Sequence, residues 1–419
     1  MGETAVGDAA VSGAAVGTAA AVRQGPAAGQ PLLVVAGEAS GDLHAARLLS
    51  RLAELVPGVR PFGLGGEELA AAGLDRLADS SEISVVGLTE VFRVLPRARE
   101  IFAALLAEVD RRRPAVALLV DFPDFNLRLA KELSARGVRV VYYISPQVWA
   151  WRRGRVRAIA EHVDEMLVLF PFELDFYARH GVEVTHVGHP LVDEVPLGLP
   201  QVWDRTALAG GVPEDGPFQI ALLPGSRVSE VEAMLPAMLG AAARLAGELP
   251  VFVRLIRAPT VPREMLEEAI HLSGLPVRVS ERDRFAAIAD SHLALCASGT
   301  ATLEVGLLGT PLVVLYRLAS WTYLAARMLV RLPHVSLVNL VLERGAVPEL
   351  LQGQARPERV AREAAAILGD PARVAAMRAD LAELRPRLGE RGASGRAARA
   401  VARHLAAATG AGDGALAAR

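Results

Sequence analysis

Four runs place glycine, hydroxyl and charged residues directly after short aliphatic segments, where their side chains could do chemistry. The first, GEASGD, carries Gly37, Glu38, Ser40, Gly41 and Asp42 after LLVVA. Its glycines let a ligand approach the backbone, and a helix starting there offers unpaired amides and about half a positive charge to an anion or polar ligand. A plain turn with Ser40 or Asp42 as the helix cap is the other reading. The second run, DFPDFN from Asp121 to Asn126, follows PAVALLV. Carboxylates at the mouth of a parallel sheet are costly to desolvate, and one of this pair could serve as a general base. A metal-binding pair is the rival, but two residues rather than one separate the acids and no histidine or further acid adjoins them. Asp124, helped by Pro123, could instead cap the following helix.

The third run, LLPGSRVSEVE, sets Gly225, Ser226 and Arg227 between a strand and a helix. A hydroxyl, backbone amides and a guanidinium there suit a phosphate, each charge-assisted bond contributing roughly 1.5–3 kcal/mol. In the fourth, ASGTATLE, residues Ser298, Gly299 and Thr300 line a second helix start, with Glu304 about one turn in. Glu304 could accept both hydroxyls of a ribose, or take part in capping with Thr300 or Thr302. Two such turns in one domain suit a diphosphate. His189 in GHP, with Trp149 and Trp151 in VWAW, follows strand-like runs and either shapes a cleft or packs in the core.

The elements that position these runs alternate in type. Strand-like LLVVA (32–36), PAVALLV (114–120), VRVVYYI (138–144) and EMLVLF (165–170) are separated by amphipathic helical stretches, the first through Ala45 to Leu55. After a proline- and glycine-rich interval from Pro190 to Pro217, a second series runs through FQIALLP (218–224), VFVRLI (251–256), LALCA (293–297) and PLVVLYR (311–317). This pattern predicts α/β architecture, with two Rossmann-like doubly wound domains facing across a cleft and ligands at the carboxyl ends of the strands. The expected divisions are a tail at 1–29, domains at 30–200 and 201–365, helices at 366–404 and a second tail at 405–419.

Composition narrows the function classes. A chain of 419 residues exceeds one ordinary core. The net charge of -2, from 45 basic and 47 acidic residues, gives no global reason to bind nucleic acid. Lys131 is the only lysine, which leaves no lysine for a P-loop or a Schiff base in these runs. FGLGGEEL, with Gly63, Gly65 and Gly66, misses the third glycine of a dinucleotide fingerprint, so a NAD enzyme is disfavoured. Cys296 stands alone, which excludes an internal disulfide and fits a buried thiol in a reducing cytoplasm. No HExxH pattern supports a metal site.

Ten blocks then occur in order over roughly residues 31–385: GEASGD, VVGLTEV, DFPDFN, YISPQVWAWR, LFPFE, VGHPLVD, LLPGSR, ASGTATLE, GTPLVVLYR and VPELLQ. In these the chain resembles the lipid-A-disaccharide synthases of Gram-negative bacteria. The resemblance implies a two-domain glycosyltransferase of the GT-B fold, with UDP held by the C-terminal domain and no metal or other cofactor. Its reaction moves 2,3-diacylglucosamine from UDP to 2,3-diacylglucosamine 1-phosphate with inversion, giving a β-1,6-linked disaccharide phosphate and UDP. Asp121 matches the family's essential acid and would deprotonate the acceptor hydroxyl. Arg227 matches its essential arginine and would neutralise the departing diphosphate, while Asn339 matches a donor-loop residue. The chain departs from the family at Val228, and at Val338, Glu343 and Gly345 in LVNLVLERGAVPELL.

Because both implied substrates are acylated, the chain is expected to work on the cytoplasmic surface of the inner membrane, and the resemblance separately implies a homodimer. Val86, Leu88, Val91, Phe92 and Leu95, beside Arg93, Arg97 and Arg99, form the first candidate for that contact, with core packing as the alternative. The stretch LASWTYLAARMLVRL (318–332) reads as core or subunit packing ahead of membrane contact.

Overall fold

The computed structural model describes residues 29–83, 91–146, 148, 154–209, 211–317 and 334–408, with backbone alone at 91–93. Val86, Leu88, Trp149, Trp151, the side chains of Val91 and Phe92, the 318–332 stretch and most of both expected tails lie outside the described residues.

The first sheet is wholly parallel. It contains β1 (Pro31–Ala36), β2 (Arg60–Gly65), β3 (Asp75–Asp79), β4 (Val116–Val120), β5 (Arg139–Tyr143), β6 (Glu165–Val168) and β7 (Val184–His186), in the order β3, β2, β1, β4, β5, β6, β7. A small antiparallel pair, β8 (Leu208–Ala209) and β9 (Val212–Pro213), separates it from the second sheet. That sheet contains β10 (Phe218–Leu223), β11 (Val251–Ile256), β12 (Val277–Ser280), β13 (Leu293–Ala297), β14 (Leu312–Tyr316) and β15 (Glu349–Leu351), ordered β12, β11, β10, β13, β14, β15 and again parallel.

The aliphatic runs become central strands because helices cover both faces. Leu32, Val34 and Ala36 of β1 enter one buried cluster, while Leu33 and Val35 enter another on the opposite face. The last helix, Ala393–Ala408, returns to the first sheet and packs on the first helix, Ala39–Leu55. Ala397, Val401 and Leu405, spaced four apart, form its buried stripe. Residues 405–408 are therefore its final turn rather than the start of a tail. The interval after Pro190 is also more ordered than its prolines suggest, holding the short helix Leu191–Glu194, a 3-10 turn at Val202–Asp204 and the β8–β9 pair.

Each sheet has one place where strand order reverses, between β1 and β4 and between β10 and β13. Register brings Ala36 beside Val120 at the first reversal and Leu223 beside Cys296 at the second. Loops leaving these strand pairs diverge and leave a crevice, the general ligand position in open α/β sheets.

Candidate active site

At the first reversal, the turn after β1 meets the turn after β4. Asp121 and Phe122 both take left-handed backbone conformations, with φ of 46° and 51°. Such geometry in non-glycine residues costs on the order of 1–3 kcal/mol each and persists only where neighbours impose it. Here the neighbours are explicit. The Asp121 amide donates to the Tyr143 carbonyl at 3.0 Å, and the Asp121 carbonyl accepts from Asn126 Nδ2 at 2.8 Å and Tyr142 Oη at 2.5 Å. Gly37 is required opposite, since a Cβ there would lie 2.3 Å from the Phe122 ring.

This frame holds the Asp121 carboxyl in a largely dry position. Burial, reinforced by the nearby negative charge of Glu38 and only partly opposed by the Phe122 amide, pushes its pKa up to about 7. A carboxyl poised there can take a proton from a hydroxyl near neutral pH. Asp124 has a different environment: it is exposed, pairs with Arg155 and makes no cap, the capping position being Phe122 with Pro123 next.

The second reversal joins the turns after β10 and β13. Gly225 takes a φ of 123°, which glycine adopts without strain. Ser226 and Arg227 then lead into the helix Val228–Glu248, and Arg227 is its N-cap with a well-exposed side chain. Glu230 folds back on this turn. One of its oxygens accepts the Ser226 and Arg227 amides at 3.0 and 3.2 Å, and the other meets Arg227 Nη1 at 3.1 Å. A carboxylate thus sits where the helix amides invite an anion. Across the sheet, Gly299 caps the helix Thr300–Leu307, Thr300 is exposed, and the Ser298 hydroxyl donates to the Val335 carbonyl at 3.3 Å. Glu304 is mostly buried one turn in, 3.2 Å from Arg284 Nε, with neither Thr300 nor Thr302 capping it. Burial raises its pKa against the opposing charge of Arg284.

Two adjoining turns of this build, an arginine and a half-buried acid on parallel sheets match a recognised sequence family along nearly the whole chain. The family model described as lipid-A-disaccharide synthetase matches residues 32–403. The chain belongs to the lipid-A-disaccharide synthase family. It is 47% identical over 371 residues to the lipid-A-disaccharide synthase of Myxococcus xanthus, covering 88% of this chain and 96% of that one. With the lipid-A-disaccharide synthase of Anaeromyxobacter dehalogenans it shares 49% over 374 residues, at the same coverages. Solved structures agree in fold. A UDP-N-acetylglucosamine 2-epimerase from Listeria monocytogenes gives a TM-score of 0.58 at 12% identity, covering 92% of this chain and 98% of that one. The kitacinnamycin glycosyltransferase gives 0.58 at 17%, covering 90% and 99%. The architecture is the GT-B fold expected from the sequence.

Within this lipid-A-disaccharide synthase chain, two expected ligand residues are committed to the scaffold instead. Asp42 is buried and accepts the Gly66, Glu68 and Leu69 amides at 2.7, 3.0 and 3.3 Å, so it closes the start of the helix Glu67–Ala71 rather than facing a ligand. Asn339 spends both amide hydrogens on Val347 O and Glu349 Oε1 and accepts the Val347 amide. Glu349 in turn holds the Val335 and Ser336 amides, so Asn339 shapes the strip beside Ser298. Val338 is buried in the helix Leu337–Leu342, and Glu343 ends that helix in a left-handed conformation. Ser40 and Gly41 lie in the first turn of the helix Ala39–Leu55, Ser40 exposed and Gly41 buried against Val120.

His189 is structural. Burial, with His44 and His186 nearby, lowers its pKa to about 3, and its Nδ1 accepts the Leu191 amide at 3.1 Å. Among the described residues no group of three His, Cys, Asp or Glu comes together as metal donors. No helix of the described residues is long and apolar enough to cross a membrane. In the helix Val91–Arg112, Ile101, Leu105 and Val109 enter the core while Leu95 stays 37% exposed.

The charged residues that the sequence reading passed over are Glu230, Arg284, Glu194 and Arg47. Glu230 was legible, because a glutamate three residues past a helix cap is a capping-box signal. The other three stand in ordinary helical stretches without a local signature.

Proposed function

We propose that this chain condenses UDP-2,3-diacylglucosamine with 2,3-diacylglucosamine 1-phosphate to a β-1,6-linked disaccharide 1-phosphate and UDP. The acceptor 6-hydroxyl loses its proton to the Asp121 carboxylate as its oxygen bonds the donor's anomeric carbon from the face opposite the leaving group. The bond from that carbon to the diphosphate breaks, and the diphosphate gains one negative charge. Arg227, the amides of the Ser226–Arg227 turn and the helix start at Ser298 to Thr300 receive that charge with no metal in the step. Glu304 holds the ribose. The single observation carrying this reading is Asp121, half-buried in an imposed left-handed turn at a strand reversal with its carboxyl poised near 7.

The turn Gly37–Glu38 forms the floor on which the acceptor lies. Its acyl chains would stay with the bilayer, and we read the exposed Leu95 end of the helix Val91–Arg112 as part of a peripheral contact with the inner membrane's cytoplasmic face. The decisive experiment is mass spectrometry of products from purified protein given both acylated substrates. The disaccharide phosphate with stoichiometric UDP is expected. Recovery of an isomerised UDP-sugar and no disaccharide would contradict the reading and place the chemistry with the epimerases that share its fold.

A further inference from the structure

The connector and the second domain hold a row of alternating charges that reaches the first domain. Arg47, two turns along the helix Ala39–Leu55, contacts Glu194 Oε1 at 2.5 Å. Glu194 ends the short helix Leu191–Glu194, and its other oxygen lies 3.9 Å from Arg284 Nη2. Arg284 Nε is 3.2 Å from Glu304 Oε2. Glu194 and Glu304 are both only 16% exposed at the side chain, so Arg284 between them, with Arg47 on the far side of Glu194, offsets part of their lost solvation.

Arg284 is built to stay in place. Its guanidinium carbon lies 4.6 Å from the centre of the Phe285 ring, a cation–π shelf. Asp283 before it takes a left-handed φ of 55°, turning the first residue of the helix Arg284–Ala289 toward Glu304. Its Nε–H is buried without a well-aligned acceptor even though Glu304 is within ion-pair distance. Its directed bond to Glu304, from Nη2 to Oε1, is long at 3.5 Å, so charge does most of the holding and the Glu304 oxygens keep capacity for donors from a ligand.

We propose that Arg284 is a shared positioning residue: it orients Glu304 for the two ribose hydroxyls of the donor and, through Glu194 and Arg47, links the seating of that ribose to the helix that follows the Gly37 turn. This rests on the donor reading given above. A ribose that takes up the Glu304 oxygens weakens their pull on Arg284, which then leans on Glu194. Occupancy of the donor site is thereby felt at Arg47, on the element that begins at the acceptor side.

Calorimetry with UDP and 2′,3′-dideoxy-UDP on the full chain tests this. The wild-type protein should prefer UDP by about tenfold or more, the scale of hydrogen bonds to a charged acceptor. Arg284→Met should cut that preference to below about threefold while changing dideoxy-UDP affinity by less than about twofold. Arg284→Lys, which keeps one charge on the shelf, should fall between the two and decides the matter if the methionine variant does not fold. A full preference in both variants overturns the proposal alone. No preference in the wild-type protein overturns it together with the ribose assignment of Glu304. For the link between domains, the kcat/KM losses of Arg47→Met and Arg284→Met should fall short of multiplying in the double variant by about threefold or more, whereas losses that simply multiply break it.

Discussion

The two strand reversals share a plan of parallel strands, a tight turn and a helix, but they are held differently. At the first, the turn residues are Asp121 and Phe122 in strained left-handed geometry, pinned by Asn126, Tyr142 and the Tyr143 carbonyl. At the second, Gly225 takes the unusual backbone angle freely, and the charged side chain Arg227 is well exposed and, among the described residues, tied to Glu230. A base must meet one hydroxyl within a fraction of an ångström and hold a tuned proton affinity, so rigidity and dryness serve it. A diphosphate presents many oxygens to amides and a long guanidinium, and a looser, wetter turn can receive it.

That contrast can be broken most severely at the base. Asp121→Asn should lower kcat about 1,000-fold while leaving UDP affinity within about twofold. An equal loss of UDP binding would mean the two reversals are not separate in role. Arg227→Met should cost roughly 100-fold or more in kcat and also weaken UDP, because the same charge meets the diphosphate before and during departure.

Stability sharpens the comparison from the other side. The Asp121 carboxyl titrates at about 7 when folded against an ordinary 3.8, so the folded state binds more protons between those values and stability falls as pH rises through that window. Asp121→Asn should therefore be more stable than wild type at pH 8, by on the order of 1–3 kcal/mol, with the advantage fading as pH drops toward 4. Urea unfolding at both pH values reads it directly. A variant less stable at pH 8 would show that the carboxylate is compensated rather than strained. The smallest effect belongs to Glu230. Glu230→Gln removes the negative charge competing for the Ser226 and Arg227 amides and should tighten UDP by about threefold in calorimetry. Weaker binding would instead make Glu230 part of the phosphate cradle.

The sequence made some of this visible and hid the rest for physical reasons. Central strands such as β1, β4 and β13 are buried on both faces, so their aliphatic runs stand out, and the glycine turns after β1 and β13 with the acidic turn after β4 mark the reversals. β2 and β3 were not seen: RPFGLG contains glycines chosen for close packing, Gly63 lying against Val34, and DRLAD is a polar edge strand with only Ala78 buried. The acid pair Asp121 and Asp124 was legible because carboxylates at a strand mouth are costly to desolvate, while the choice of Asp121 between them came from the family resemblance. The scaffold bonds of Asp42 and Asn339 were hidden because their partners lie 8 to 27 residues away, and composition cannot say which way a short polar side chain turns. The Arg284 row was invisible for the same reason on a larger scale, since it is assembled from four helices.

The pH dependence of kcat/KM bears most directly on Asp121 as the base. In the wild-type protein it should rise with pH to a plateau, with a half-point near 7, and Glu38→Gln should shift that half-point lower by removing a like charge. A profile already flat from pH 5 to 8, or one unmoved by Glu38→Gln, would contradict it.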